Sequence, residues 1–98
     1  MGSLNIIWRK QALKDLNSIA AWYSENMSGL SAQKVIMGAY EAVRLLSVQP
    51  GIGIIQQDLS TGRYQYRGYL MHPFYKIIYR YTRKTLYVCA IRATRIKG

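Results

Sequence analysis

Arg63, Arg67, Lys76, Arg80, Arg83, Lys84, Arg92, Arg95 and Lys97 all follow Asp58, and no carboxylate side chain comes after that aspartate. Guanidinium and ammonium groups gathered without acidic neighbours hold phosphates and carboxylates, and their summed field speeds the encounter with an anionic partner. Residues 1–58 carry five basic side chains (Arg9, Lys10, Lys14, Lys34, Arg44) against four acidic ones (Asp15, Glu25, Glu41, Asp58), so nearly all of the net charge of +10 lies in the second part of the chain. Solvated faces ordinarily mix both signs, and this segregation points to a binding surface. His72 is the only histidine, and imidazole is the side chain suited to proton transfer near neutral pH.

Seven of the nine tyrosines (Tyr64, Tyr66, Tyr69, Tyr75, Tyr79, Tyr81, Tyr87) are interleaved with these cations. Aromatic rings among Arg and Lys can stack bases, which is the pattern of a non-catalytic nucleic-acid-binding module. Strand alternation assigns Tyr75, Tyr79 and Tyr81 to the core and leaves Tyr69 and Tyr87 as the candidates for exposure. One His, one Cys and four carboxylates, none at ligand spacing, argue against a metal site, and no cofactor is expected. Gly51 and Gly53 follow Pro50 and read as a turn, not a phosphate-cradling loop. Cys89 lies within the apolar run Leu86–Tyr87–Val88–Cys89–Ala90–Ile91 and reads as a small buried hydrophobe. A lone cysteine excludes an internal disulfide, and no stretch approaches the ~18 apolar residues of a membrane span. Met1–Gly2–Ser3–Leu4 lacks the basic and apolar regions of a signal peptide. A cytosolic protein making no use of membrane is the expectation.

The elements that must position the cations follow from periodicity. Ninety-eight residues, half of them apolar, suit one domain over 1–98. Leu4–Trp8 reads as a strand. From Lys10, the residues Leu13, Leu16, Ile19, Ala20, Tyr23 and Met27 recur at helical steps and predict a helix ending near Asn26–Gly29. Ser28 or Ser31 is the candidate cap of a second helix, with Val35, Ile36, Ala39, Val43 and Leu46 as its buried stripe and Pro50–Gly51 as its stop. Three strand-like runs follow: residues 63–70, 75–81 and 86–93. An even-length turn around Arg83–Lys84 places Tyr79 opposite Val88 and Ile78 opposite Cys89. Ile77, Tyr79, Tyr81, Leu86, Val88 and Ala90 then face the helices. Lys76, Arg80, Tyr87 and Cys89 face away, joined by Arg95 if the strand runs that far. The expected fold is α+β, in the order β-α-α-β-β-β: an antiparallel sheet with a helical hairpin on one face and a bare, basic opposite face.

These residues in this order resemble the RelE/ParE superfamily of bacterial type II toxins, the plasmid stabilisation proteins. The resemblance runs from about Ile6 to Arg95. It rests on Trp8 with Ala12–Asp15–Leu16–Ile19, Leu45–Leu46 before Pro50 and Gly53, Tyr66–Arg67, the strand Tyr75–Lys76–Ile77–Ile78–Tyr79–Arg80, and Thr94–Arg95. It implies a cytoplasmic toxin neutralised by an acidic antitoxin that wraps the hairpin and the sheet, in a hetero-oligomer, with a homodimer as a further possibility. Charge complementarity and a free sheet edge suit such a partner.

Two activities are known on this fold. RelE-like members cut mRNA on the ribosome, and that activity maps onto Arg67, Lys76 and Arg95 as phosphate-binding cations. His72 would be the acid or base, with Tyr69 the weaker candidate. ParE-like members poison DNA gyrase without chemistry of their own. Their target contacts would fall on Arg63, Arg67, Lys76, Arg80, Arg92 and Arg95. Ile96–Lys97–Gly98 follow Arg95 here, with neither the Tyr nor the His of the RelE-like ending. Lys76 also lacks the planar fork of an arginine at a phosphate. The resemblance is therefore ParE-like more than RelE-like.

Overall fold

The computed structural model describes residues 2–72 and 74–94. In chain order these form β1 (Asn5–Trp8), α1 (Lys10–Asn26), α2 (Gly29–Val48), a short 3-10 turn (Pro50–Ile52), β2 (Ile54–Ile55), β3 (Arg67–His72), β4 (Tyr75–Tyr81) and β5 (Thr85–Ala93). Among the described residues the sheet has five strands in the order β1-β5-β4-β3-β2. The β2–β3, β3–β4 and β4–β5 pairs are antiparallel, whereas β1 runs parallel to β5. The sequence thus identified the α+β order, and the structure adds β2 and makes one sheet edge parallel. β5 has one edge on β4, and the chain entering the hairpin takes its other edge.

The hairpin is closed by local chemistry. Tyr23 O accepts from both Met27 N and Ser28 N at 2.9 Å, which ends α1. Ser28, not Ser31, is the cap of α2: its Oγ accepts from Ser31 N at 3.0 Å and satisfies one orphan donor of the first turn. Pro50, lacking an N–H, starts the 3-10 turn. The core joins Ala12 and Leu16 of α1 with Ala39, Val43 and Leu46 of α2, and Ile77, Tyr79, Leu86, Val88 and Ile91 of the sheet.

The phase of α1 differs from the sequence expectation. Leu13 is 40% and Met27 63% exposed, while Ala12 is fully buried. The reason is Asp15. Its Oδ2 accepts from Ile91 N at 2.9 Å and its Oδ1 accepts from Gln11 Nε2 at 2.7 Å. The β1 pairing with β5 stops at Val88, so Ile91 N needs another acceptor, and a helix turned to supply one presents Ala12, Asp15, Leu16 and Ile19 to the sheet. Asp15→Ala leaves that N–H without an acceptor, and the expected loss is about 1–3 kcal/mol, read as a lower urea midpoint at unchanged slope.

The sheet register corrects two further expectations. Tyr79 does pair with Val88, but Ile78 pairs with Ala90, which leaves Cys89 as the extra residue of a β-bulge. Beyond the bulge every side chain changes face. Ala90 leaves the helix side, Ile91 enters the core, and Arg92 comes to lie opposite Lys76. The far face is also less bare than expected. Strand β3 begins at Arg67 and not at residue 63, and residues 56–66 form a loop over the sheet. Ser60 Oγ ties that loop together, donating to Gln56 O at 2.8 Å and accepting from Tyr66 N at 3.0 Å. Leu59 and Tyr66 lie beside Ile78 and Ala90, each only 4% exposed. The cations are therefore displayed around a small second apolar patch.

Candidate binding face

Lys76, Arg80 and Arg92 are the sequence-derived cations that the structure brings to one face. Lys76 and Arg92 are cross-strand partners. Lys76 Nζ donates to Gln56 Oε1 at 2.8 Å, which fixes the ammonium beside Gly68. Any Cβ at Gly68 would meet the Gln56 amide at 2.8 Å, so the glycine leaves room for this pair. Arg80 lies over the rings of Tyr64 and Tyr87, 4.3 Å from each centroid, and Arg63 lies 5.8 Å from the Tyr64 centroid. Cation–π contact of this kind holds a guanidinium in place while leaving its edge donors free to meet an acceptor.

Arg67 and His72 lie elsewhere. Arg67 pairs with Tyr79 and shares its helix-facing side. Its guanidinium donates to Gly53 O at 2.8 Å and Gly51 O at 3.2 Å, and stacks 5.9 Å from the Tyr81 centroid. Its hydrogen bonds serve the turn that follows α2. His72 sits past a bulge in β3, opposite Tyr75. Its Nδ1 accepts from Phe74 N at 3.2 Å, and it lines a cavity of about 530 Å³ with Trp22, Tyr23, Met27, Phe74 and Tyr75 at the hairpin end. Tyr69, expected on the surface, packs against the core. Arg95 lies outside the described residues. Arg67, Lys76 and His72 therefore do not meet around a common point.

Sequence reasoning missed Arg9 and Lys10. Arg9 N donates to Val88 O at 2.9 Å, so the end of β1 delivers both side chains to the Arg80 neighbourhood, where they line a cavity with Tyr64, Tyr66 and Cys89. The parallel β1–β5 pairing is the cause, and it left no sign in the spacing of residues. Among the described residues no three His, Cys, Asp or Glu side chains gather where a metal ion could be held.

Burial raises the Cys89 thiol pKa, against the opposing pull of Arg80 and Arg9, so the group is a thiol and a poor nucleophile at neutral pH. Tyr79 is likewise pushed above its ordinary value, by burial first, with the Gly53 N–H and Arg67 pulling the other way. The neutral phenol is thus favoured in the folded state. Its contribution is complete below pH ~10, the unfolded tyrosine value, and is lost as pH rises through the higher folded value. Stability should accordingly fall above pH ~10. Absorbance titration of phenolate should show Tyr79→Phe lacking one group that ionises above the ordinary tyrosine value.

A helical hairpin followed by a mostly antiparallel sheet is the α+β fold of the RelE/ParE class of toxins. The family model described as "ParE toxin of type II toxin-antitoxin system, parDE" matches residues 6–97. The chain belongs to this family, and it is the toxin component of a type II toxin–antitoxin system. Among solved structures it is similar to one described as "Chromosomal ParDE TA system from P. aeruginosa". The TM-score is 0.77 and the identity 19%, over 95% of this chain and 98% of that one. At that identity the likeness concerns the fold. No curated protein sequence matches the chain significantly.

Proposed function

We propose that this toxin arrests growth by binding DNA gyrase through the face that carries Lys76, Arg80 and Arg92, without cutting RNA, and that an acidic antitoxin neutralises it in the cytoplasm. The observation that carries this reading is the separation of the residues an RNA-cleaving site would need. Arg67 is engaged with the Gly51 and Gly53 carbonyls on the hairpin side. Lys76 is engaged with Gln56 on the far side, and His72 is at the hairpin end with Trp22 and Phe74. General acid–base cleavage needs its groups within hydrogen-bond reach of one phosphate, whereas protein binding needs only a complementary, fixed surface. Exposed Trp22, Met27, Leu30 and Met37 on the hairpin give the antitoxin an apolar surface distinct from the target-binding cations.

The test is to incubate the purified protein with gyrase and supercoiled plasmid, and in parallel with ribosomes and mRNA. Gyrase-dependent linear DNA is the expected result. Codon-linked cuts in the mRNA would reverse the assignment to the RelE-like activity. His72→Ala should leave growth arrest within about twofold of the parent, because the imidazole lies at the hairpin end, off the proposed binding face, and binding asks no proton transfer of it.

A further inference from the structure

The cavity at the start of α1 adjoins the proposed gyrase-binding face and shares Arg80 with it, but its other lining residues, Arg9, Lys10, Gln11 and Tyr66 among them, have no part in that reading. It measures about 430 Å³ and is lined by Arg9, Lys10, Gln11, Tyr64, Tyr66, Arg80 and Cys89. That volume is larger than an isolated phosphate needs and falls within the range of small-molecule sites. Three cations converge on it without an acidic lining residue. The nearby carboxylate of Asp15 accepts from Gln11 Nε2 and Ile91 N. The first turn of α1 has no acidic side chain.

The chemistry of the lining selects the ligand. Arg80 touches Tyr64 and Tyr87 through their ring faces, and Arg9 lies 5.9 Å from the Tyr87 centroid. A guanidinium held by its faces presents its N–H edge to a planar or tetrahedral oxyanion. Arg9 and Lys10 raise the charge to a value better matched by a doubly charged phosphate ester than by a single carboxylate. The remaining wall is aromatic and amide. Tyr66 offers a ring and a hydroxyl, and Gln11, whose Nε2 is committed to Asp15 Oδ1, retains its carbonyl oxygen as an acceptor for an exocyclic amine. We infer that this cavity binds a nucleotide, with the phosphate on Arg80 between Arg9 and Lys10 and the base against Tyr66 and Gln11.

Isothermal titration calorimetry of the purified 98-residue chain at low ionic strength tests this directly. The probes are adenosine 5′-monophosphate, adenosine, inorganic phosphate, a 5′-phosphorylated single-stranded oligonucleotide and a polyglutamate peptide. The monophosphate should bind at least about tenfold more tightly than adenosine or inorganic phosphate. Arg80→Ala and Lys10→Glu should each weaken it about tenfold, the size expected for one charge-assisted contact. Arg83→Ala, in the turn between β4 and β5 and outside the cavity, should leave it unchanged. Oligonucleotide binding tighter than the mononucleotide assigns the site to a strand, and equal binding assigns it to the free nucleotide. Equal binding of adenosine and its monophosphate would overturn the inference. So would equal losses in Arg80→Ala and Arg83→Ala, or polyglutamate binding ahead of the monophosphate. Lys10 is exposed, so Lys10→Glu keeps the test decisive if Arg80→Ala does not fold. Although Arg80 also belongs to the proposed gyrase-binding face, the readout is nucleotide binding by the isolated protein, so its failure is distinguishable from a failure of the gyrase reading.

Discussion

Gly53→Ala is expected to lower stability by about 3–5 kcal/mol, summing an overpacking cost with the loss of buried hydrogen bonds. The backbone at Gly53 has φ −73° and ψ 158°, open to any residue, so the effect is steric. A Cβ there would run into the Tyr79 hydroxyl and lie 2.8 Å from Tyr79 Cε1 and 3.0 Å from Gly68 O. Tyr79 cannot yield cheaply. It is fully buried, and its hydroxyl accepts from Gly53 N at 2.9 Å while donating to Pro50 O at 2.6 Å. This latch joins the turn after α2 to the centre of β4. It also holds the Gly51 and Gly53 carbonyls where Arg67 reaches them. Tyr79→Phe should cost less, about 2–3 kcal/mol, because it removes the hydroxyl without forcing atoms together. Gly62→Ala is the matched control, since a Cβ there meets nothing within 4 Å. Urea unfolding followed by circular dichroism measures all three.

The second large effect is functional. Lys76→Glu with Arg92→Glu should abolish growth arrest while costing no more stability than the single Lys76–Gln56 hydrogen bond supplies, about 1 kcal/mol. The two residues are cross-strand neighbours on the face away from the hairpin, and neither forms part of the core. Placing like charges across an interface costs several kcal/mol, which is on the order of a thousandfold in affinity. Arg67→Ala should show the opposite profile. It should lose stability, because its hydrogen bonds are internal, and it should retain growth arrest. Colony counts after induction, set beside unfolding curves, separate the two kinds of residue. Unchanged arrest in the Lys76/Arg92 double variant would remove this face from the mechanism.

Much of this arrangement was legible in the sequence because it follows short-range rules. The α2 stripe of Val35, Ala39, Val43 and Leu46 and the Ser28 cap are local, and so is the Tyr79–Val88 pairing set by an even turn. Long-range pairing was not legible. Cys89 gives no sign that it will be the unpaired residue of a bulge, yet that one residue moves Ala90 out of the core and places Arg92 with Lys76. Asp15 entered the sequence reading only as one of four carboxylates and as part of the Ala12–Asp15–Leu16–Ile19 resemblance, with no partner assigned. Its partner is Ile91 N, 76 residues away, and that contact turned Leu13 outward. Arg67 and Lys76 were grouped by charge, whereas strand alternation in β3 and β4 sends them to opposite faces of the sheet. Arg9 joined the basic face only through the parallel pairing of β1 with β5.

Hydroxyl-radical footprinting of the protein with and without gyrase tests the claim that the target meets the cationic sheet face. Exposed reporters stand on both sides: Tyr64 and Leu70 around the cations, and Trp22, Met27 and Met37 on the hairpin. Gyrase should slow oxidation of Tyr64 and Leu70 and leave Trp22, Met27 and Met37 as reactive as in the free protein. Protection of the hairpin reporters alone, with Tyr64 and Leu70 still fully reactive, would contradict the account.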